Sequence, residues 1–206
     1  MNAGTKKPPT IDVSGLPTFG FGPRDALWWG VAGLMAIEGT VFGLAMVTYF
    51  YLRGGAVEWP PPGVQMPHLL GTVNLAVLLA SVYPMHRANK AALDAALRPM
   101  RNWLFVATAL GLVSLTLRAF EFPGMTFRWN HHAYGSIVWT IFGLHTLHLL
   151  TSCVENLLFL VLLYRGPVED KHRLDMRLNG MYWFFVVVSW VPLYTILFWD
   201  PGLFRR

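Results

Sequence analysis

Four side chains in the stretch GLHTLHLLTSCVEN carry chemistry at helical spacing. His145, His148, Ser152 and Glu155 follow one another at intervals of 3, 4 and 3 residues, which at about 100° per residue confines them to an arc of roughly 80° on one helix face. A fifth candidate, Glu38, stands alone in the apolar run LMAIEGTVFG. Imidazole suits Zn, Cu or Fe, so a metal site is one chemistry to weigh. Hydrogen-bonded packing between neighbouring helices is the other.

The elements that carry these residues follow from composition. Of 206 residues, 54% are hydrophobic and only 13% are charged, about half the charged share of an average soluble domain. A bilayer core of about 30 Å needs roughly 20 apolar residues in helical form, and Leu27 to Leu52 meets that. Further runs lie at about 69–85, 103–120, 136–164 and 181–199. The expectation is an all-α integral membrane bundle of five transmembrane helices over 26–206, after a polar segment, 1–25. The second and third runs have the length of a soluble core helix, but five such runs with almost no polar face exclude that class.

Orientation follows from the cations. Five crossings put the N-terminus and the loops 86–102 and 165–180 on one side, with Lys6, Lys7, Arg24, Arg87, Lys90, Arg98, Arg101, Arg165, Lys171, Arg173 and Arg177. The other side holds Arg53, Arg118, Arg128, Arg205 and Arg206. That asymmetry predicts a cytoplasmic N-terminus and a periplasmic C-terminus. The net charge of +5 is then a collar at the inner leaflet rather than a nucleic-acid patch. The apolar run after residue 26 is too long for a signal-peptide core, so 1–25 is read as a retained cytoplasmic tail. Cys153 is the sole cysteine, which rules out an intrachain disulfide and leaves a small buried hydrophobe.

Ionisable groups at membrane depth face the bundle or a wet cavity and are functional candidates by default. At about 1.5 Å per residue, Glu38 lies about 16 Å from the cytoplasmic end of its helix, and Glu155, Ser152 and His148 lie roughly 13, 18 and 24 Å from theirs. Glu38 is therefore expected to meet the polar stripe. A metal or haem is poorly served, because His68, His86, His131 and His132 fall at helix ends or in the outer loop and no mid-depth histidine faces His145 or His148. Trp59 lies in the proline-rich segment EWPPPGVQMP, expected as a rigid outer loop. Arg118 and Glu121, three apart in LRAFEFPG, are expected to pair at the outer interface, where an exposed pair contributes little.

These residues together resemble subunit III of the haem-copper respiratory oxidases, from Trp28 to Trp199. IEGTVFGLAMVTYFYLR is similar to that family's helix with a membrane-embedded acid and puts Glu38 on the acid position. WPPPGV, with Trp59, resembles its Trp-Pro-Pro-x-Gly-Ile loop, and RAFEF places Glu121 in its aromatic-Glu-aromatic element. YGSIVWTIFGLHTLHLL resembles its Tyr-Gly-Ser segment and Gly-x-His-Gly-x-His-Val, with His145 and His148 on the histidine positions. The family's last helix usually reads Trp-His-Phe-Val-Asp-Val-Val-Trp, whereas WFFVVVSW has Phe184 for the His and Val187 for the Asp. Five helices resemble the short bacterial form.

The resemblance implies a non-catalytic accessory subunit in a bacterial cytoplasmic membrane. It would have no cofactor of its own, bind the catalytic subunit I that holds haem and copper, and neighbour subunit II and small subunits. It would hold phospholipid in a cleft and support proton uptake, with Arg165 resembling a headgroup-binding position and Glu38 a packing and lipid-cleft residue. The electron donor stays open between cytochrome c and quinol. Three other classes compete: an accessory subunit of nitric oxide reductase, a small proton-coupled transporter using Glu38 and Glu155, and a haem-bearing membrane anchor.

Overall fold

The computed structural model describes residues 22–166 and 171–199. The parts of the polar segment at 1–21, and Arg205 and Arg206, lie outside the described residues. Five helices, each long and apolar enough to cross a membrane, account for most of the rest. They are α1 (Ala26–Gly54), α2 (His68–Leu93), α3 (Leu97–Gly124), α4 (Ala133–Arg165) and α5 (Lys171–Tyr194), the last continuing as a π-helical turn, Thr195–Trp199. No strand occurs among the described residues. In a bilayer every backbone polar group needs an internal partner, and helices supply it along their own length.

Three helices run beyond the expected spans. α2 continues past Met85 to Leu93, α3 starts at Leu97 rather than near 103, and α5 starts at Lys171 rather than near 181. The segments 86–102 and 165–180, expected as loops, are therefore largely helical. The apolar runs mark only the part of each helix that meets hydrocarbon, whereas the cationic ends keep folding because they pack on one another. Ala88, Ala91 and Ala92 of α2 and Leu174 and Met176 of α5 are buried. Arg173 donates from Nε to the Ala92 carbonyl at 2.7 Å and from Nη2 to the Leu93 carbonyl at 2.6 Å. These are terminal carbonyls of α2 with no partner inside their own helix, and a cation suits that end of the dipole.

Burial is graded across the bundle. α1 fully buries only Phe42 and Tyr49, while Val31, Met35, Ala45, Met46 and Leu52 pack partly buried against the core. α5 is half buried, and its Trp183 and Trp190 are the largest fully enclosed side chains. α2 and α3 make the most extensive pairing, joined by the short turn at 94–96. Cys153, 1% exposed, packs inside as expected. A membrane-permeant maleimide should leave it unlabelled in the folded protein and label it fully after denaturation, because thiol reactivity requires access.

The start of α4 is fixed by the loop before it. His132 caps the helix, its Nδ1 accepting from the Gly135 amide at 2.8 Å, and Ser136 Oγ donates to the Trp129 carbonyl at 2.6 Å. A side chain at Gly135 would collide with the carbonyl oxygen of Arg128, which is backbone and cannot swing aside. Gly135→Ala should therefore lower stability by about 1–3 kcal/mol, the usual cost of overpacking. Retention of the monodisperse peak after heating in detergent measures it.

Candidate functional site

The polar stripe of α4 is divided by the bundle. His145 and Ser152 point inward, at 0% and 1% exposure, while His148 is half buried and Glu155 is exposed. The division has a geometric cause: the boundary between the interior and the α1 side of α4 falls inside the arc on which the four residues lie. Their spacing gave the arc but not where its edge would meet a neighbour.

Glu38 meets the outer half of that stripe. Its Oε2 lies 3.7 Å from His148 Nε2, an electrostatic contact longer than a hydrogen bond. The other ring nitrogen, Nδ1, is 2.7 Å from the Leu144 carbonyl, so His148 is already oriented by its own helix. Phe42, one turn along α1 from Glu38, packs on the His148 ring at 4.9 Å between centroids. Glu38 and Glu155 also line a cleft of about 490 Å³ between α1, α4 and α5. Its polar lining is completed by Thr151, Asp175, Asn179 and Tyr182, and its apolar lining includes Val31, Leu34, Leu158 and Leu162. Arg165 ends α4 exposed, with the neighbouring Tyr164 ring 5.1 Å from the Arg101 guanidinium.

The pair Arg118–Glu121 departs from expectation. It is not at an exposed outer interface: both side chains are fully buried, with Arg118 Nη1 donating to Glu121 Oε2 at 2.8 Å. The expected span took in Arg118 and stopped at Phe120, just short of Glu121, whereas α3 itself continues to Gly124 and carries both charges inward, among Asn74 of α2, Phe142 of α4 and Trp190 of α5. Asn74 Nδ2 donates to the other carboxylate oxygen of Glu121 at 2.6 Å, and Ser114 donates to Asn74 Oδ1. The Arg118 guanidinium carbon lies 3.9 Å from the Trp190 ring centroid and 4.7 Å from that of Phe142. Cation–π contact of this kind compensates a desolvated guanidinium. An amide in mid-run, Asn74, was the legible sign of this network.

His145 belongs to the same interior. Its Nε2 lies 3.0 Å from the Val186 carbonyl and its ring 4.4 Å from Trp190. Trp59 is half buried, stacked edge-on against Tyr49 and Tyr134 at 5.3 and 5.0 Å, and so ties the outer loop to α1 and α4. Among the described residues no group of three or more His, Cys, Asp or Glu converges.

The family model for cytochrome c oxidase subunit III matches residues 29–201. The chain belongs to that family. It is 26% identical to cytochrome c oxidase subunit 3 of Thermostichus vulcanus over 173 residues, covering 82% of this chain and 85% of the relative. Against the protein of the same name from Synechocystis sp. it is 24% identical over 182 residues, 86% of this chain and 77% of the relative. Against that of Pisaster ochraceus it is 30% identical over 145 residues, 69% of this chain but 56% of the relative. The chain thus spans about half the length of the last of these relatives and most of the two cyanobacterial ones. In subunit III terms, the buried ion pair, the polar stripe and the α1 acid all lie within the matched region. Neither the nitric oxide reductase reading nor the transporter reading gains support from these comparisons.

Proposed function

We propose that this chain is the non-catalytic accessory subunit III of a haem-copper terminal oxidase. The match to the subunit III family over residues 29–201 carries this reading. It stabilises the catalytic subunit, which holds the haem and copper, in a bacterial cytoplasmic membrane, with subunit II and small subunits as further neighbours. The N-terminus lies in the cytoplasm, as the distribution of Lys and Arg favours. The cleft between α1, α4 and α5 holds an acyl chain of a phospholipid. Its volume is in the range of ligand pockets, its apolar wall suits hydrocarbon, and Arg165 sits at the end of α4 where a headgroup phosphate would lie.

The test is a mild-detergent purification of the tagged chain from its native membrane, with a reduced-minus-oxidised spectrum and mass spectrometry of co-purifying proteins and lipids. The expected result is haem bands that travel with a large polytopic partner and stay with it when this chain is stripped away. A colourless, solitary chain, or haem retained on the isolated chain, would overturn the reading.

Glu38 acts here as a packing and cleft residue, not as an obligatory proton carrier. Glu38→Gln keeps the shape and removes the titratable group, so proton uptake by the assembled oxidase should be unchanged. A slowed uptake in that variant would assign Glu38 a relay role.

A further inference from the structure

Two fully buried side chains and the indole they pack on are left with uncommitted polar atoms. Arg118 uses Nη1 for Glu121, but its Nε and Nη2 have no hydrogen-bond partner among the described residues. Trp190 Nε1 and His145 Nδ1 have none either. All three residues are 0% exposed. The guanidinium and the imidazole both lie against the Trp190 ring, at 3.9 and 4.4 Å from its centroid, so the groups that carry the uncommitted atoms border one indole where α3, α4 and α5 meet.

The atoms define what would fit them. Arg118 and Trp190 offer N–H groups and want an acceptor. His145 is the reverse: the Val186 carbonyl can only accept, so Nε2 carries the hydrogen and the neutral ring leaves Nδ1 as an acceptor seeking a donor. An anion would accept but not donate, and it would add a second negative charge where Glu121 already balances Arg118. An ammonium would find donors facing donors. Water both accepts and donates, is neutral, and commonly makes about three bonds to otherwise unsatisfied buried groups.

We propose that Arg118, Trp190 and His145 form a binding site for ordered water inside the bundle. The site extends the chain Ser114–Asn74–Glu121–Arg118 toward His145 and the Val186 carbonyl, so that α2, α3, α4 and α5 share one polar network. It lies apart from the cleft that contains Glu38 and Glu155, none of the three residues lining that cleft.

The test uses the whole membrane assembly that carries this chain, purified in lipid nanodiscs. A map that resolves waters should show a peak within hydrogen-bonding distance of at least two of Arg118 Nε or Nη2, Trp190 Nε1 and His145 Nδ1. Hydroxyl-radical footprinting gives a second readout, because radiolysis of a bound water oxidises the side chain it touches. Trp190 should be oxidised several-fold faster than Trp183, which is equally buried but already donates to Ser81. His145→Phe keeps an aromatic ring and removes the acceptor, and should lower the Trp190 rate toward that of Trp183. An empty region with all three side chains ordered, or equal oxidation of the two tryptophans in the unsubstituted protein, would overturn the proposal.

Discussion

Glu121→Leu destabilises the bundle by about 3–5 kcal/mol, the cost of removing one partner from a buried ion pair. The substitution leaves Arg118 charged, fully enclosed and without its carboxylate, and strands the Asn74 amide that donates to the same group. Heating in mild detergent, followed by the fraction still monodisperse on size exclusion, reads the effect. The ion pair as such is a weak source of stability, since desolvation cancels much of its attraction. The double variant Arg118→Met with Glu121→Leu should therefore recover a large part of the loss. A double variant no better than Glu121→Leu alone would mean that the guanidinium's contacts with Trp190 and Phe142, and not the relief of an unpaired charge, dominate.

Trp183→Ala is expected to cost a similar amount, about 3–5 kcal/mol, by leaving a cavity at the centre of the bundle. Trp183 is 0% exposed, and its ring lies where a side chain on Gly111 of α3 would have to go. Its indole N–H donates to Ser81 of α2 at 3.0 Å. One side chain of α5 thus fills space against α3 and bonds to α2. Trp183→Phe should lose less, because it keeps most of the ring and gives up the hydrogen bond, worth about 1 kcal/mol. The same thermal assay separates the two: equal losses would mean that the bond to Ser81, rather than the volume, holds α5 in place.

What could be read in the sequence was what depends on short stretches of chain. Five apolar runs gave five helices, because hydrocarbon demands about 20 apolar residues wherever the chain crosses it. The stripe of α4 was legible because its spacing repeats with the helix, and the likeness of four segments to subunit III was legible because it lies in the order of residues. Asn74, an amide in an apolar run, was passed over, and its meaning emerged only with the partner that it binds.

The rest depended on which surfaces face each other. The expected span of α3 stopped at Phe120, so Arg118 and Glu121 marked an apparent membrane edge. Their burial required Trp190 and Phe142, brought from α5 and α4, to surround the guanidinium, and Asn74 from α2 to meet the carboxylate. The helical extensions of α2 and α5 were hidden for the same reason, since their polar ends bury alanines and leucines only against each other and Arg173 finds its acceptors on α2. The sequence by itself determined the number of crossings, the family and the arc of polar groups on α4. Only the tertiary structure decided which of those groups turn inward and which meet Glu38, because a helix face acquires an inside when a second helix packs against it.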